Sequence, residues 1–376
     1  MLRDPGVAPA DAGAAADDRT SPLAAPASAE ATDLPDRLAR AITLGGPMPV
    51  SHFMRAANSE YYARKQAIGA AGDFTTAPEI SQMFGELVGI WIADLWDRAG
   101  RPALHFVELG PGRGTLAADA LRAMAKASLT PNTHFIEASP RLRVEQASRV
   151  PGAQWHDDAS TLPDDAPLVV VANEFFDALP IEQVVRGPGR WHRRMVACQD
   201  ILFLPIAGPM IPDTIVPEHL RDAPIGSLIE SSPAGVAVVR ALVTRLAAQG
   251  GAVLVIDYGH EGPALGETLQ AVRGHGFANP FDAPGEVDLS AHVDFAVLAA
   301  AAQTAGARVH GPVPQRDFLG SLGIATRAAA LARSHPERAD EIGVAHQRLT
   351  GVDAMGTLFR AMAITAADWP EPAGFV

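Results

Sequence analysis

Three glycines and a series of acids between Val107 and Asp177 are the side chains of this chain best placed to do chemistry. Val107-Glu108-Leu109-Gly110-Pro111-Gly112-Arg113-Gly114 runs from an apolar strand (His105-Phe106-Val107) through an acid into a G-x-G-x-G loop, and a helix from Thr115 to about Lys126 follows. Glycines at 110, 112 and 114 let the backbone turn sharply and come close to a bound cofactor. The dinucleotide fingerprint is spaced G-x-G-x-x-G and seats a pyrophosphate on the helix N-terminus. Here the third glycine comes one residue early and Pro111 stiffens the loop. That form suits S-adenosylmethionine (SAM), which has no phosphate and whose charged amino-acid end and sulfonium call for carboxylates and backbone carbonyls. Thr133-His-Phe-Ile-Glu137 reads as a second buried strand, ending in a carboxylate able to accept both ribose hydroxyls. Trp155-His-Asp157-Asp158 sets an aromatic face and two acids where a third strand ends. An adenine needs such a stacking face, with Asp157 or Asp158 as acceptor for its amino group. A fourth strand, 168–172, finishes in Asn173-Glu174-Phe-Phe-Asp177-Ala-Leu-Pro180. Ligands of open α/β sheets bind beyond the carboxyl ends of strands, where all four motifs sit.

These motifs need a sheet to carry them. Further strands are predicted at 251–256, 308–313 and 356–364, so the fold class is α/β: a Rossmann-like, mostly parallel seven-stranded sheet. Helical character begins near Leu34-Pro-Asp-Arg-Leu. The clearest helix has apolar residues at 80, 83, 84, 87, 88, 91, 92, 95 and 96, one helical face. Thr76-Ala-Pro-Glu79 reads as its capping box and Gly100 as its stop. The glycine-flanked loop before it offers Asp73 and Thr75, to cap the cofactor or to make turn hydrogen bonds. About 70 residues separate the fourth strand from the fifth, more than a plain crossover needs. The chain is therefore divided into a tail (1–33), an N-terminal helical extension (34–100), a SAM-binding half (101–180), an inserted β-rich and helical lid (181–250) and the remainder of the sheet (251–376). A second insertion is expected at 262–289.

The net charge of −13 argues against a nucleic-acid partner and is compatible with a basic substrate. One cysteine, Cys198, excludes internal disulfides and a cysteine-based zinc site. No metal is expected. A single thiol fits a reducing compartment, so a cytoplasmic location is predicted. The first 33 residues are rich in Ala, Pro, Asp and Ser and read as disordered. Their acids (Asp4, Asp11, Asp17, Asp18) are unlike a mitochondrial presequence, and the tail is read as having no targeting role. No apolar run is long enough for a membrane helix, so no membrane insertion is expected. Oligomeric state is not legible.

Six segments resemble one known family: GAAGDFTTAPEISQMFGELVGIW (69–91), VELGPGRGTLAADALRA (107–123), ANEFFDALP (172–180), VIDYG (255–259), APGEVDLSAHVDF (283–295) and MGTLF (355–359). They are similar to the MidA-like SAM-dependent methyltransferases, a group that includes a mitochondrial complex I assembly-factor arginine methyltransferase. The resemblance spans about residues 35–365. It implies a class I methyltransferase fold, SAM as cofactor and methyl transfer to an arginine of a protein substrate. The target of the mitochondrial member is the large catalytic-side subunit of respiratory complex I, whose assembly the reaction supports, and the resemblance implies the same target here by inference. Two segments depart from the family pattern: Glu60-Tyr61-Tyr62, where Gly-Tyr-Tyr is usual, and Phe277-Ala-Asn-Pro-Phe281.

Transfer from a sulfonium is an in-line displacement, so the nucleophile must sit behind the methyl group with water excluded. A guanidinium is a poor nucleophile because its charge is spread over the whole fork. Two carboxylates can grip it and leave one nitrogen's lone pair available. Glu174 and Asp177, with Asn173 beside them, are the candidates, and the Phe175-Phe176 pair could wall the channel. Tyr258 could line the same channel. Glu79 is read as a capping acid, and Asp294, beside His292, as a helix-start residue. Competing functions are a small-molecule methyltransferase and a SAM-binding assembly chaperone without turnover. The glycine spacing disfavours a nicotinamide oxidoreductase.

Overall fold

A computed structural model describes residues 33–64, 75–273 and 276–375. Asp73, and the tail predicted for the first 33 residues apart from Asp33, lie outside the described residues. Seven strands form the main path of the central sheet, β1 (His105–Leu109), β2 (Asn132–Ile136), β3 (Gln154–His156), β4 (Leu168–Asn173), β5 (Gly251–His260), β6 (Arg308–Pro314) and β7 (Phe359–Thr365), and a short eighth, Val293–Asp294, pairs with the end of β5. Their order is β6-β7-β5-β4-β1-β2-β3. The run from β5 to β3 is parallel, and β7 lies antiparallel between β5 and β6. This is the class I methyltransferase fold. β1 and β4 are buried along their whole length, as expected of central strands covered on both faces. β1 pairs with β2 on one side and β4 on the other. The chain thus reverses direction across the sheet at β1 and β4, and the crevice there is where such sheets bind ligands.

The helix predicted over 80–96 runs Gln82–Arg98, and its predicted capping box does not form. A separate turn, Ala77–Ile80, precedes it, and Ser81 sits between the two at φ −162°. The Ser81 hydroxyl accepts the Met83 amide and so caps the helix, while Thr76 makes no side-chain cap. Glu79 is drawn off by stronger partners: it accepts the Thr115 hydroxyl at 2.5 Å and faces the Arg113 guanidinium at 3.4 Å. The helix lies tight against Thr115–Lys126. A Cβ on Gly89 would come within 2.4 Å of the Ala120 carbonyl, so only glycine permits this approach.

Strands Glu182–Arg186, Trp191–Gln199, Leu202–Met210 and Leu228–Ser231 form an antiparallel sheet that also pairs with Met48–Pro49. Strands Gln270–Arg273, Gly276–Ala278 and Asp288–Ser290 form a third. A second apolar core joins these sheets to helices Leu34–Gly45 and Val50–Arg64. Phe53 is its centre, 5.4 Å from Phe203 and 5.6 Å from Phe281 by ring centroids. Among the described residues no helix is long and apolar enough to cross a membrane.

Two helices between β6 and β7, Ile324–Ser334 and Ala339–Thr350, had no counterpart in the sequence reading. The first is tied to Gln82–Arg98 by Arg327, whose guanidinium takes both Glu86 oxygens at 2.6 and 2.9 Å. Glu86 is only 7% exposed. Arg327→Ala leaves that carboxylate with Gln82 alone and is expected to lower unfolding free energy by about 3 kcal/mol in denaturant titrations. SAM affinity should be retained, because Arg327 is outside the cavity described next.

Candidate active site

A cavity of about 580 Å³ opens over the carboxyl ends of β1, β2 and β4. Another, of about 620 Å³, lies among the opposite strand ends, and Asp368 is the sole acid in its lining. The first gathers Glu79, Glu108, Glu137, Asp157, Asn173 and Glu174, so we place the chemistry there despite its slightly smaller volume.

Gly110 and Gly112 lie on the floor with φ +58° and +54°, a backbone that other residues rarely adopt. A Cβ on Gly110 would meet the Phe175 ring at 3.0 Å. Pro111 lines the cavity beside them. Gly114 does not; at φ +77° it opens the helix Thr115–Lys126. Glu108, at the end of β1, is 3% exposed, and burial pushes its carboxyl up to about 8. Its Oε2 has no hydrogen-bond partner among the described residues.

Glu137 projects from the end of β2. It accepts the Ser139 amide at 2.7 Å and the Gln146 side-chain amide at 3.1 Å, and burial raises its pKa. Gln146 also donates to the Gly112 carbonyl at 2.7 Å and thereby couples the glycine loop to Glu137. The sequence reading missed Gln146. Its only signal was a polar residue on the inward stripe of Pro140–Arg149, which becomes visible once the helix register is known. Trp155 corrects the expected adenine face. Its indole donates to Gln146 at 2.7 Å and its ring packs on Phe135, so it is absent from the cavity wall. The pleat is the reason: Trp155 pairs in register with Phe135, on the face covered by helix Pro140–Arg149. Apolar surface comes instead from Ile136, Ala138 and Leu142. Asp157 is exposed at the rim and paired to Arg143 at 2.6 Å, whereas Asp158 caps the turn Ala159–Thr161. Of the two, Asp157 lines the cavity and Asp158 does not.

Glu174 has a left-handed backbone, φ +50°. Its Oε1 accepts the Ala77 amide at 2.9 Å and the Asn173 side-chain amide at 3.2 Å. Burial lifts its carboxyl to about 7. Asn173 lines the cavity with Oδ1 unpartnered among the described residues. Asp177 does not line it, so the predicted two-carboxylate grip is not assembled. The turn aims Asp177 at β5, where it accepts the Tyr258 hydroxyl at 2.6 Å and burial raises it to about 6. Tyr258 is turned inward with it, edge-on to His292, and Asp294 caps Phe295–Thr304. Thr75 stays outside the lining while Thr76 and Pro78 enter it. Of the divergent segments, Glu60 pairs with Arg37 at 2.6 Å, Tyr62 lines the cavity and Phe277 is 84% exposed. Tyr62 donates its hydroxyl to Asp288 at 2.8 Å. Asn58 bonds the carbonyls of Ala178 and Leu289 at 3.0 and 2.8 Å. Asn58 was not singled out from sequence, and Tyr62 only as part of the divergent segment Glu60-Tyr61-Tyr62.

A family model described as an S-adenosyl-L-methionine-dependent methyltransferase matches residues 87–313. The Danio rerio protein arginine methyltransferase NDUFAF7, mitochondrial, is 34% identical over 87% of this chain and 85% of its own length. The Drosophila melanogaster homolog is 35% identical (85% and 82%), and the Homo sapiens protein 32% (88% and 81%). A Burkholderia thailandensis protein crystallised with S-adenosyl-homocysteine superposes with a TM-score of 0.79 at 29% identity, covering 88% of this chain and 91% of that one. These names overturn the cytoplasmic expectation, since all three relatives are named as mitochondrial. A lone cysteine forms no internal disulfide and does not choose among compartments.

Proposed function

The chain belongs to the S-adenosyl-L-methionine-dependent methyltransferase family, and from that premise we propose that it methylates an arginine of a protein substrate. The observation that carries the reading is Glu174, a half-buried carboxyl held at the cavity wall by left-handed backbone, with its pKa raised to about 7.

The cavity fits a cationic ligand. Its buried polar groups are mostly acceptors, two of them (Glu108 Oε2 and Asn173 Oδ1) unpartnered among the described residues, and a Cβ on Gly110 of its floor would crowd the Phe175 ring. Of the cations in its wall, Arg113 is already engaged by Glu79 and Glu145. SAM supplies the electrophilic methyl group. In this reading Glu108 and the loop Gly110–Gly114 receive its amino-acid end, with Gly114 acting through the helix start. Glu137 accepts the ribose hydroxyls, and Asp157 serves the adenine. Asn173 and Glu174 face the nucleophile. A guanidinium held against Glu174 exchanges water for a low-dielectric carboxylate contact, and Glu174 takes the proton that the nitrogen must lose. The sheets carrying residues 182–231 and 270–290 would form the substrate side of the molecule, within the inserted segments 181–250 and 262–289.

The substrate proposed is the large catalytic-side subunit of complex I, which rests on the family resemblance; the relatives' names support a protein arginine as the acceptor. Incubating purified enzyme and that subunit with methyl-labelled SAM, followed by peptide mass spectrometry, should show one or two methyl groups on an arginine. No label on any arginine would remove this substrate.

A further inference from the structure

The 174–177 turn is organised by a carboxylate that does not line the cavity. Asp257, near the end of β5 and fully buried, points one oxygen at three consecutive backbone amides. Oδ2 accepts Phe175, Phe176 and Asp177 at 3.2, 2.9 and 3.3 Å. Its other oxygen accepts the Tyr258 amide at 3.0 Å. Successive amides converging on one point form a concavity that takes an acceptor oxygen, and here the neighbouring strand's carboxyl fills it. The same strand reaches the turn twice more. Glu174 donates its amide to the Ile256 carbonyl at 2.9 Å, and Tyr258 holds Asp177 by its hydroxyl. Glu174 needs such restraint, because φ +50° is disfavoured for a residue with a side chain and persists only where its surroundings over-determine it.

We propose that Asp257 is a positioning residue for methyl transfer: by gripping the amides of Phe175, Phe176 and Asp177 it holds Glu174 in the left-handed conformation that presents its carboxylate to the cavity. This rests on the proposed role of Glu174. The chemistry of the grip requires an acceptor at both oxygens, since all four partners are N–H donors. Asparagine has one acceptor. Its NH2 must oppose either the Tyr258 amide or the three amides of the turn, so an almost isosteric change loosens the turn.

The test is methylation of the complex I subunit by wild type, Asp257→Asn, Glu174→Gln and the double variant, with SAM affinity measured by calorimetry. Asp257→Asn should lower kcat about 10–100-fold while KM for the subunit and Kd for SAM stay within about threefold. The double variant should be no slower than Glu174→Gln alone, because Asp257 acts through Glu174. Loss of SAM affinity in step with kcat, multiplication of the two defects, or an unchanged kcat overturns the positioning role and leaves the Glu174 reading standing. A wild-type rate in Glu174→Gln overturns that reading and the proposal with it. Hydrogen exchange on the wild-type protein decides the matter even if Asp257→Asn fails to fold. Amides 175–177 should be protected although they lie outside helix and strand, and unprotected amides there overturn the grip.

Discussion

Glu174→Gln is expected to cut kcat by about 10²–10³-fold while SAM affinity stays within about threefold. The change is nearly isosteric. A glutamine oxygen can still accept the Ala77 and Asn173 amides, so the turn keeps its anchors. What is lost is the negative charge facing the guanidinium and the acceptor for its proton. The pH dependence carries the second signature. Burial first, then the charge of Asp177, raises the Glu174 carboxyl to about 7, against the pull of the Ala77 and Asn173 hydrogen bonds. A base must be deprotonated to work, so kcat/KM, which reports the free enzyme, should rise with pH through about 7 and level off above it. In the Gln variant that limb should vanish. Stability runs the other way: a carboxyl whose folded pKa is raised stabilises fully below its unfolded value near 4.5, and the contribution is lost as pH rises to about 7. Glu174→Gln should therefore be less destabilised than wild type on going from pH 5 to pH 8. A Gln variant with wild-type kcat, or one that keeps the acid limb, removes Glu174 from the reaction.

What the sequence revealed was what periodicity and backbone constraints encode. The glycine loop, its helix and the strands around it were legible because φ-permissive residues and fully apolar runs have few other uses. Glu137 and Glu174 were legible because position at a strand end decides which way an acid can reach. Asp177 was not. Three residues after Glu174, its direction depends on the left-handed backbone at 174, which no spacing rule encodes for a glutamate. Trp155 failed similarly, since the pairing of β3 with β2 decides its face. The capping box failed by competition: Ser81 offered a second cap and Glu79 a better use for its charge. Asp257 could not be singled out from spacing, because the amides it holds lie some eighty residues away in the chain.

Glu108 should give the other large effect, on cofactor affinity. In the free protein burial raises its carboxyl to about 8, so near pH 7 it is mostly neutral, with Oε2 facing no donor among the described residues. A cationic ammonium placed against that oxygen favours the charged form and pulls the pKa down. Binding at pH 7 should then release close to one proton, visible when calorimetry is run in two buffers of different ionisation enthalpy. By the same linkage SAM affinity should climb by up to about tenfold per pH unit towards 8 and flatten beyond it. Glu108→Gln should abolish both the proton release and the slope, and weaken SAM binding about 100-fold at pH 8, where the wild-type carboxylate contributes most. For folding the sign reverses. The raised folded pKa means that wild type loses stability as pH climbs from about 4.5 to 8, an effect bounded by a few kcal/mol. The Gln variant escapes that loss, so at pH 8 the free variant should unfold at higher denaturant than wild type while binding SAM far less tightly. A stabilised protein with a weakened ligand is the mark of a buried group kept for binding rather than for folding. Affinity independent of pH in wild type, or full affinity in Glu108→Gln, would place the ammonium elsewhere in the cavity.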